Sequence, residues 1–457
     1  MRQSTVQITE GVIWKQLLSF FFPILLGTFF QQLYNTVDTI IVGRFVGTQA
    51  LAAVGSTSSL ISLINGFFIG LSTGSSVVIS QYYGAGDRSG VKKSMVTNAV
   101  LAIVLGILAV LVGVACSPGL LRLIKTPESC IGDAVLYAKI YFSGAAATVI
   151  YNVGSGILRA MGDSKRPLYF LIVTCFSNII LDILFVVVLG QGIAGAAIAT
   201  VLSQWISAVL VVICVYRLPE DIRPSLRIAA PDPLLLRRIL LIGLPAGLQF
   251  ITFDLSNLLV QSGINSFGDV TVAAWAAYAK TDSLTWMVSG AFGVAITTFV
   301  GQNFGAQKYS RIRKSVRVCL GMGIATQLLI SIFMLTFRKF ILGIYTTDAE
   351  VIQVGAYAML WIVPFNALFM FVEVFAGTMR GTGYSVMPTV ITGVCVCAFR
   401  VLWVLTLVSR YHTIEMLCIT YPLSWVLASA VFLIAYLRGT WLHKRIEACD
   451  MEPEVRI

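Results

Sequence analysis

Twelve stretches of this 457-residue chain stay apolar for more than about 20 residues, long enough for an α-helix to cross about 30 Å of hydrocarbon. They cover approximately 14–42, 51–80, 95–117, 133–158, 167–189, 193–216, 238–265, 272–300, 316–337, 350–377, 388–409 and 414–438. None alternates as a barrel strand would, so each is predicted to span as a helix with its backbone bonded internally. With 57% hydrophobic and only 12% charged residues, the chain departs from the soluble norm of roughly a quarter charged. No soluble domain of this size has interior enough to hide that much apolar surface. The first apolar run is too long for a signal-peptide core and is read as a retained first span.

The net charge of +11 would suggest nucleic acid or acidic partners in a soluble protein. Its distribution explains it otherwise. With both termini cytoplasmic, the inner loops and ends carry 23 Lys and Arg and the outer ones six: Arg44, Arg122, Lys125, Arg338, Lys339 and Arg410. That asymmetry sets orientation by the positive-inside rule, and no nucleic-acid partner is needed. Nine cysteines are scattered singly, and Cys395 and Cys397, two apart, diverge on a helix. They read as small buried hydrophobes, with no metal or redox role. The only histidines are His412 and His443, and no His-Glu-x-x-His motif occurs, so an enzyme is not expected.

The chain also repeats itself. Gly156, Arg159, Gly162, Ser164 and Pro167 recur 221 residues later as Gly377, Arg380, Gly383, Ser385 and Pro388. At the same spacing Gln81, Gly84, Ala85, Ser89, Lys93 and Ser94 meet Gln302, Gly305, Ala306, Ser310, Lys314 and Ser315. Pro23, Asn35 and Phe45 meet Pro245, Asn257 and Phe267 at 222. Matches on polar and turn residues, in order, in three blocks are not chance likeness among apolar segments. The expected fold is therefore an all-α integral membrane protein whose twelve transmembrane helices form two pseudo-symmetric six-helix bundles. The expected boundaries are 1–216 and 238–438 for the bundles, 217–237 for a basic cytoplasmic linker and 439–457 for a cytoplasmic tail. Six spans per half make the repeat parallel, with a transport path between halves. Pro23 and Pro245, matched within the first span of each half, read as a pair of hinges, the alternative being static kinks.

Ionisable side chains inside hydrocarbon are costly and are functional candidates by default. In the first half these are Asp38 and Asp182, with Asn178 one turn before Asp182 and with Asn152 and Thr200 on neighbouring spans. Carboxylate, amide and hydroxyl oxygens make a hard site suited to Na⁺ or to a shared proton, and oxygen ligands alone do not separate the two. The alternative is that Asn178 and Asp182 bond neighbouring helices. The second half does not repeat this set: Val260, Phe399, Trp403 and Tyr421 stand opposite Asp38, Asn178, Asp182 and Thr200, and Glu373 stands opposite Asn152. It has instead Asp254, Lys280, Asp282, Glu373 and Arg400, which either line a substrate cleft or neutralise one another, Lys280 with Asp282 and Arg400 with Glu373. Tyr34 and other aromatics facing a cleft would suit large or cationic ligands.

With Tyr34-Asn35-Thr36-Val37-Asp38, Gln302-Asn303-Phe304-Gly305-Ala306 and Leu158-Arg159-Ala160-Met161-Gly162-Asp163 in place, the chain resembles the bacterial branch of the multidrug and toxic compound extrusion (MATE) family over essentially its whole length. The resemblance implies a rocker-type antiporter of the bacterial inner membrane, monomeric among lipids, exporting varied and often cationic small molecules against Na⁺ or H⁺. It needs no cofactor beyond the coupling ion. It carries a cation or proton site onto Asp38, Asn152, Asn178, Asp182 and Thr200, and neither Asp254 nor Glu373 falls in register with the acids that another branch uses. The nearest rival is a flippase for lipid or lipid-linked saccharide from the same superfamily, and a channel is the rival that would not need alternating halves.

Overall fold

The computed structural model describes residues 8–124, 126–224, 230–439, 441–442 and 446. Arg2, Lys125, Arg227, His443, Lys444, Arg445 and Arg456, with most of the 439–457 tail, lie outside them. Among the described residues there is no strand. Eleven helices are long and apolar enough to span, and a bent pair makes twelve. They are α1 (Ile13–Val46), α2 (Thr48–Gly84), α3 (Arg88–Leu123), α4 (Ile131–Ser143 plus Ala145–Ala160), α5 (Lys165–Val188), α6 (Gly192–Tyr216), α7 (Pro233–Asn265), α8 (Asp269–Gly305), α9 (Tyr309–Thr336), α10 (Ala349–Gly381), α11 (Val386–Tyr411) and α12 (Ile414–Arg438). The two segments of α4 meet at 45° around Gly144. Large apolar side chains such as Leu111, Leu329 and Leu402 stay exposed along the spans, as a chain solvated by lipid requires.

Local chemistry explains why the repeat shows most clearly at turns. Asp87 accepts from the Gly90 N–H to start α3, and Asp232, just before Pro233, accepts from Leu234 and Leu235 to start α7. After α4, Gly162 takes a φ of 97° and donates to Arg159 O, while the Asp163 N–H reaches Leu158 O. After α10, Gly383 (φ 86°) donates to Arg380 O and the Tyr384 N–H to Met379 O. Both are Schellman caps, and a side chain at either glycine would be strained in the left-handed region.

Two apolar cores form, one drawn mainly from α1–α6 and one mainly from α7–α12. Each borrows the start of the other's first helix. Leu17, Phe20 and Phe21 of α1 sit in the second core, with Phe21 stacked on Phe292 at 4.2 Å. Ile239 and Ile242 of α7, the counterparts of Leu17 and Phe20, sit in the first core together with Leu235. Beyond the prolines each helix joins its own half: Ile41 and Val42 lie in the first core, Val260 and Ile264 in the second. Pro23 and Pro245 therefore mark where each first helix passes from one half to the other. Both helices continue through their prolines. The Ser19 carbonyl, which loses its N–H partner to Pro23, accepts instead from Ser164 Oγ at 3.2 Å.

The foot of α1 is also tied to the second half. Arg311 on α9 donates to the carbonyls of Ile8, Glu10 and Gly11 and to Gln16 Oε1, at 2.8–3.3 Å. Lys308 Nζ adds a bond to Thr9 O at 3.0 Å.

The halves meet chiefly along α2 and α7, which run antiparallel. Ser62 Oγ donates to Asp254 Oδ2 at 3.2 Å near mid-span, and Gly70 and Gly74 pass against the backbone around Gly247 and Gly243. Only glycine allows two helices this close. From that pair to the end bearing Arg88, Lys93, Lys308 and Lys314, hereafter the basic end, the contact is continuous. Among the described residues no hydrogen bond joins the halves on the other side of Ser62 and Asp254.

Candidate functional site

The first half gathers its acids where α1, α5 and α6 pack together. Asp38 lies near the end of the regular part of α1, which continues as a π-turn over Val42–Val46. The regular part of α5 ends on Asp182, and Ile183–Val188 follow as a second π-turn. Insertions of this kind re-aim side chains and recur at functional sites. Asn178 lies one turn before Asp182 on the same face, and Thr200 comes from α6, its hydroxyl donating to Ala196 O at 3.0 Å.

Asp38 is 6% exposed, and Asn178 and Asp182 are fully buried. Asp38 Oδ1, both oxygens of Asp182 and both amide atoms of Asn178 are inaccessible and have no hydrogen-bond partner in the protein. The two carboxylates lie within electrostatic reach of each other. An unsatisfied buried polar group costs about 1–3 kcal/mol, and an uncompensated charge costs more. A proton held on a carboxylate, or a small hard cation with oxygen ligands, would complete such a cluster of orphaned oxygens. Nothing in the donor set separates these two. Asn152, on α4, is half-buried and, among the described residues, bonds to neither acid.

The structure adds a residue that the sequence reading missed. Tyr137, on the first segment of α4, is buried beside Asp38, Asp182 and Thr200 and within hydrogen-bonding reach of Asp38 and Thr200. It stacks at 6.4 Å on Tyr141, whose hydroxyl accepts from Asn65 Nδ2 at 2.8 Å and Gln204 Nε2 at 3.3 Å. The signal available was a Tyr-x-x-x-Tyr pair on one face of a helix that also bears Asn152. Tyr34, expected in a substrate cleft, is buried one turn before Asp38 and beside Tyr141, so it belongs to this first-half network.

The second-half charges do not make the pairs considered from sequence. Glu373 pairs with Arg380, 3.7 Å away and two turns on along α10, and not with Arg400. Arg400 is 1% exposed and sits over the rings of Tyr421 (4.3 Å), Phe253 and Trp425 (5.8 Å each), with Nε donating to Ser424 Oγ at 2.9 Å. Rings replace a carboxylate as the company of this buried cation. Lys280 is exposed and forms no ion pair with Asp282, because residues two apart on a helix point apart. Asp282 instead accepts from Trp286 Nε1 at 2.7 Å and Asn366 Nδ2 at 3.3 Å. Asp254, half-buried, faces Ser62 across the junction of the halves. The second-half acids are thus already provided with donors, whereas among the described residues Asp182 has none and Asp38 has only the nearby Tyr137 hydroxyl.

Known proteins share the duplicated fold. The family model described as MatE matches residues 23–184 and again 245–405, stretches that begin on Pro23 and Pro245. The "probable multidrug resistance protein YoeA" of Bacillus subtilis is 30% identical, and the alignment covers 97% of each chain. The "probable multidrug resistance protein NorM" of Thermotoga maritima is 25% identical over 94% of this chain and 93% of its own. A crystal structure of MATE in the bent conformation superposes with a TM-score of 0.90 at 23% identity, covering 98% of this chain and 100% of that one. With twelve spans, a duplicated half and a family model matching both copies, the chain belongs to the MATE family of membrane transporters and is not an enzyme.

Proposed function

We propose that this protein is a secondary antiporter of the bacterial inner membrane, with both termini cytoplasmic. It exports drugs and other organic, often cationic, small molecules in exchange for Na⁺ or H⁺ by alternating access, acting as a monomer within two six-helix bundles at 1–216 and 238–438. The observation that carries this reading is the buried, unpartnered oxygen cluster of Asp38, Asn178 and Asp182 in one half alone. The printed names of the relatives as multidrug resistance proteins support the choice of cargo. The basic end is then the cytoplasmic end, in keeping with the positive-inside rule.

In this mechanism the coupling ion reaches Asp38 and Asp182 from outside, with Asn152 and Thr200 available as further oxygens and Tyr137 as the hydroxyl between the acids. Binding rearranges α1 about Pro23. The helix is suited to this, because its foot is clamped to the second half by Arg311 while its acid belongs to the first. A change at Asp38 is thereby felt across the junction of the halves. Pro245 gives α7 the reciprocal freedom. Substrate and ion must prefer different states, since equal affinity for both shifts nothing. Asp254, Lys280, Asp282, Glu373 and Arg400 serve the substrate path of the second half.

The test is efflux from proteoliposomes driven by an imposed ion gradient. Asp38→Asn and Asp182→Asn should abolish driven efflux while the protein still elutes as a folded species. Full driven transport by both variants would refute the assignment.

A further inference from the structure

The Gln81/Gly84 and Gln302/Gly305 blocks are the part of the repeat for which the ion site has no use. In the structure they form a reciprocal contact between the halves at the basic end. Gln81 Nε2, on α2, donates to Gly381 O at 2.8 Å. Gln302 Nε2, on α8, donates to Ala160 O at 2.7 Å. The donors are 221 residues apart and so are the acceptors. Each acceptor is the last residue of its helix, α10 or α4, where carbonyls have no partner within the helix. Each half therefore caps a helix end of the other.

The backbone is reciprocal too. A Cβ built on Gly84 would fall on the Gln302 carbonyl oxygen, and one on Gly305 would fall on the Gln81 carbonyl oxygen. Both glutamines are at most 1% exposed, and Gln81 Oε1 also accepts from Arg238 Nη2 of α7 at 2.5 Å. Packing within one half would not require this symmetry, because every one of these contacts joins different halves.

We infer that Gln81 and Gln302 are the paired bolts of the inner gate. They hold the basic end shut through the opposite half's helix carbonyls, and both must release together, with water taking over the carbonyls, before substrate can enter. They are positioning residues, not substrate ligands. The inference rests on the alternating-access reading above.

The test is pulsed electron spin resonance between nitroxides at Lys93→Cys and Lys314→Cys, exposed matched positions of the two halves, in full-length protein with other exposed cysteines replaced and reconstituted in lipid nanodiscs. One buried hydrogen bond corresponds to about a fivefold change in an equilibrium. Gln302→Leu should lower the short-distance population relative to the long by about fivefold, and Gln81→Leu by more, because it also gives up the bond from Arg238. Gly84→Ala should all but remove the short distance, because closure would drive its methyl into a carbonyl. The inference is overturned if these variants keep the wild-type distribution, or if only one glutamine matters. If the wild type shows one short distance under every ion and substrate condition yet the variants open it, the gate contact stands and alternating access fails.

Discussion

Replacing Pro23 by alanine perturbs the hinge at a place where the structure allows the effect to be worked out. Proline in a helix interior costs about 3 kcal/mol relative to alanine, partly through the carbonyl it strands. Here that carbonyl, of Ser19, is partnered by Ser164 Oγ at 3.2 Å, which returns about 1 kcal/mol. The substitution should then stabilise the continuous helix by about 2 kcal/mol, or about 30-fold against the locally opened form. Amide hydrogen exchange across residues 17–25 reads this directly, since protection reports local opening. Ser164→Ala should reduce protection about fivefold while Pro23 is present. In the Pro23→Ala background it should have almost no effect, because a restored N–H serves the same carbonyl. Turnover of Pro23→Ala should fall, because the bent helix is now disfavoured. Unchanged protection in Pro23→Ala, or an equal effect of Ser164→Ala in both backgrounds, would refute the reasoning.

Tyr137→Phe removes only a hydroxyl between Asp38, Asp182 and Thr200; the ion concentration for half-maximal efflux should rise while the protein stays folded, and an unchanged value would place Tyr137 outside the site. Arg311→Ala leaves the foot of α1 without its four oxygen contacts, so limited proteolysis around residues 8–16 should become much faster and coupled efflux slower. Arg400→Leu leaves the aromatic faces of Tyr421, Phe253 and Trp425 without their cation; it should alter which substrates are exported, measured as their ratio of efflux rates, and leave the ion dependence as it was.

Much of this molecule is legible from sequence because the bilayer enforces simple rules. Span lengths, loop charge and the position of each turn follow from hydrocarbon thickness and backbone satisfaction, and the Gly162 and Gly383 caps appear as repeats because glycine suits their left-handed geometry best. Asp38 and Asp182 stand out for the same reason, as acids where acids are costly. What the sequence does not disclose is which side chains face each other across helices. Glu373 finds Arg380 on its own helix, Arg400 takes a cage of rings in place of a carboxylate, and Lys280 turns away from Asp282. Tyr137 escapes notice because an aromatic in a span is ordinarily packing, and only the placement of α4 against α6 brings its hydroxyl to the acids. The exchange of helix feet between the cores is likewise a property of packing, visible only once α1 and α7 are placed.

The assignment of ion coupling to the first half is tested most directly by substrate efflux from proteoliposomes under a Na⁺ gradient alone and under a pH gradient alone. The comparison is among wild type, Asp38→Asn, Asp182→Asn, Asp282→Asn and Glu373→Gln. One gradient should drive the wild type, and this drive should be lost in Asp38→Asn and Asp182→Asn but kept in Asp282→Asn and Glu373→Gln. Driven efflux that survives the first pair and fails in the second would contradict the assignment.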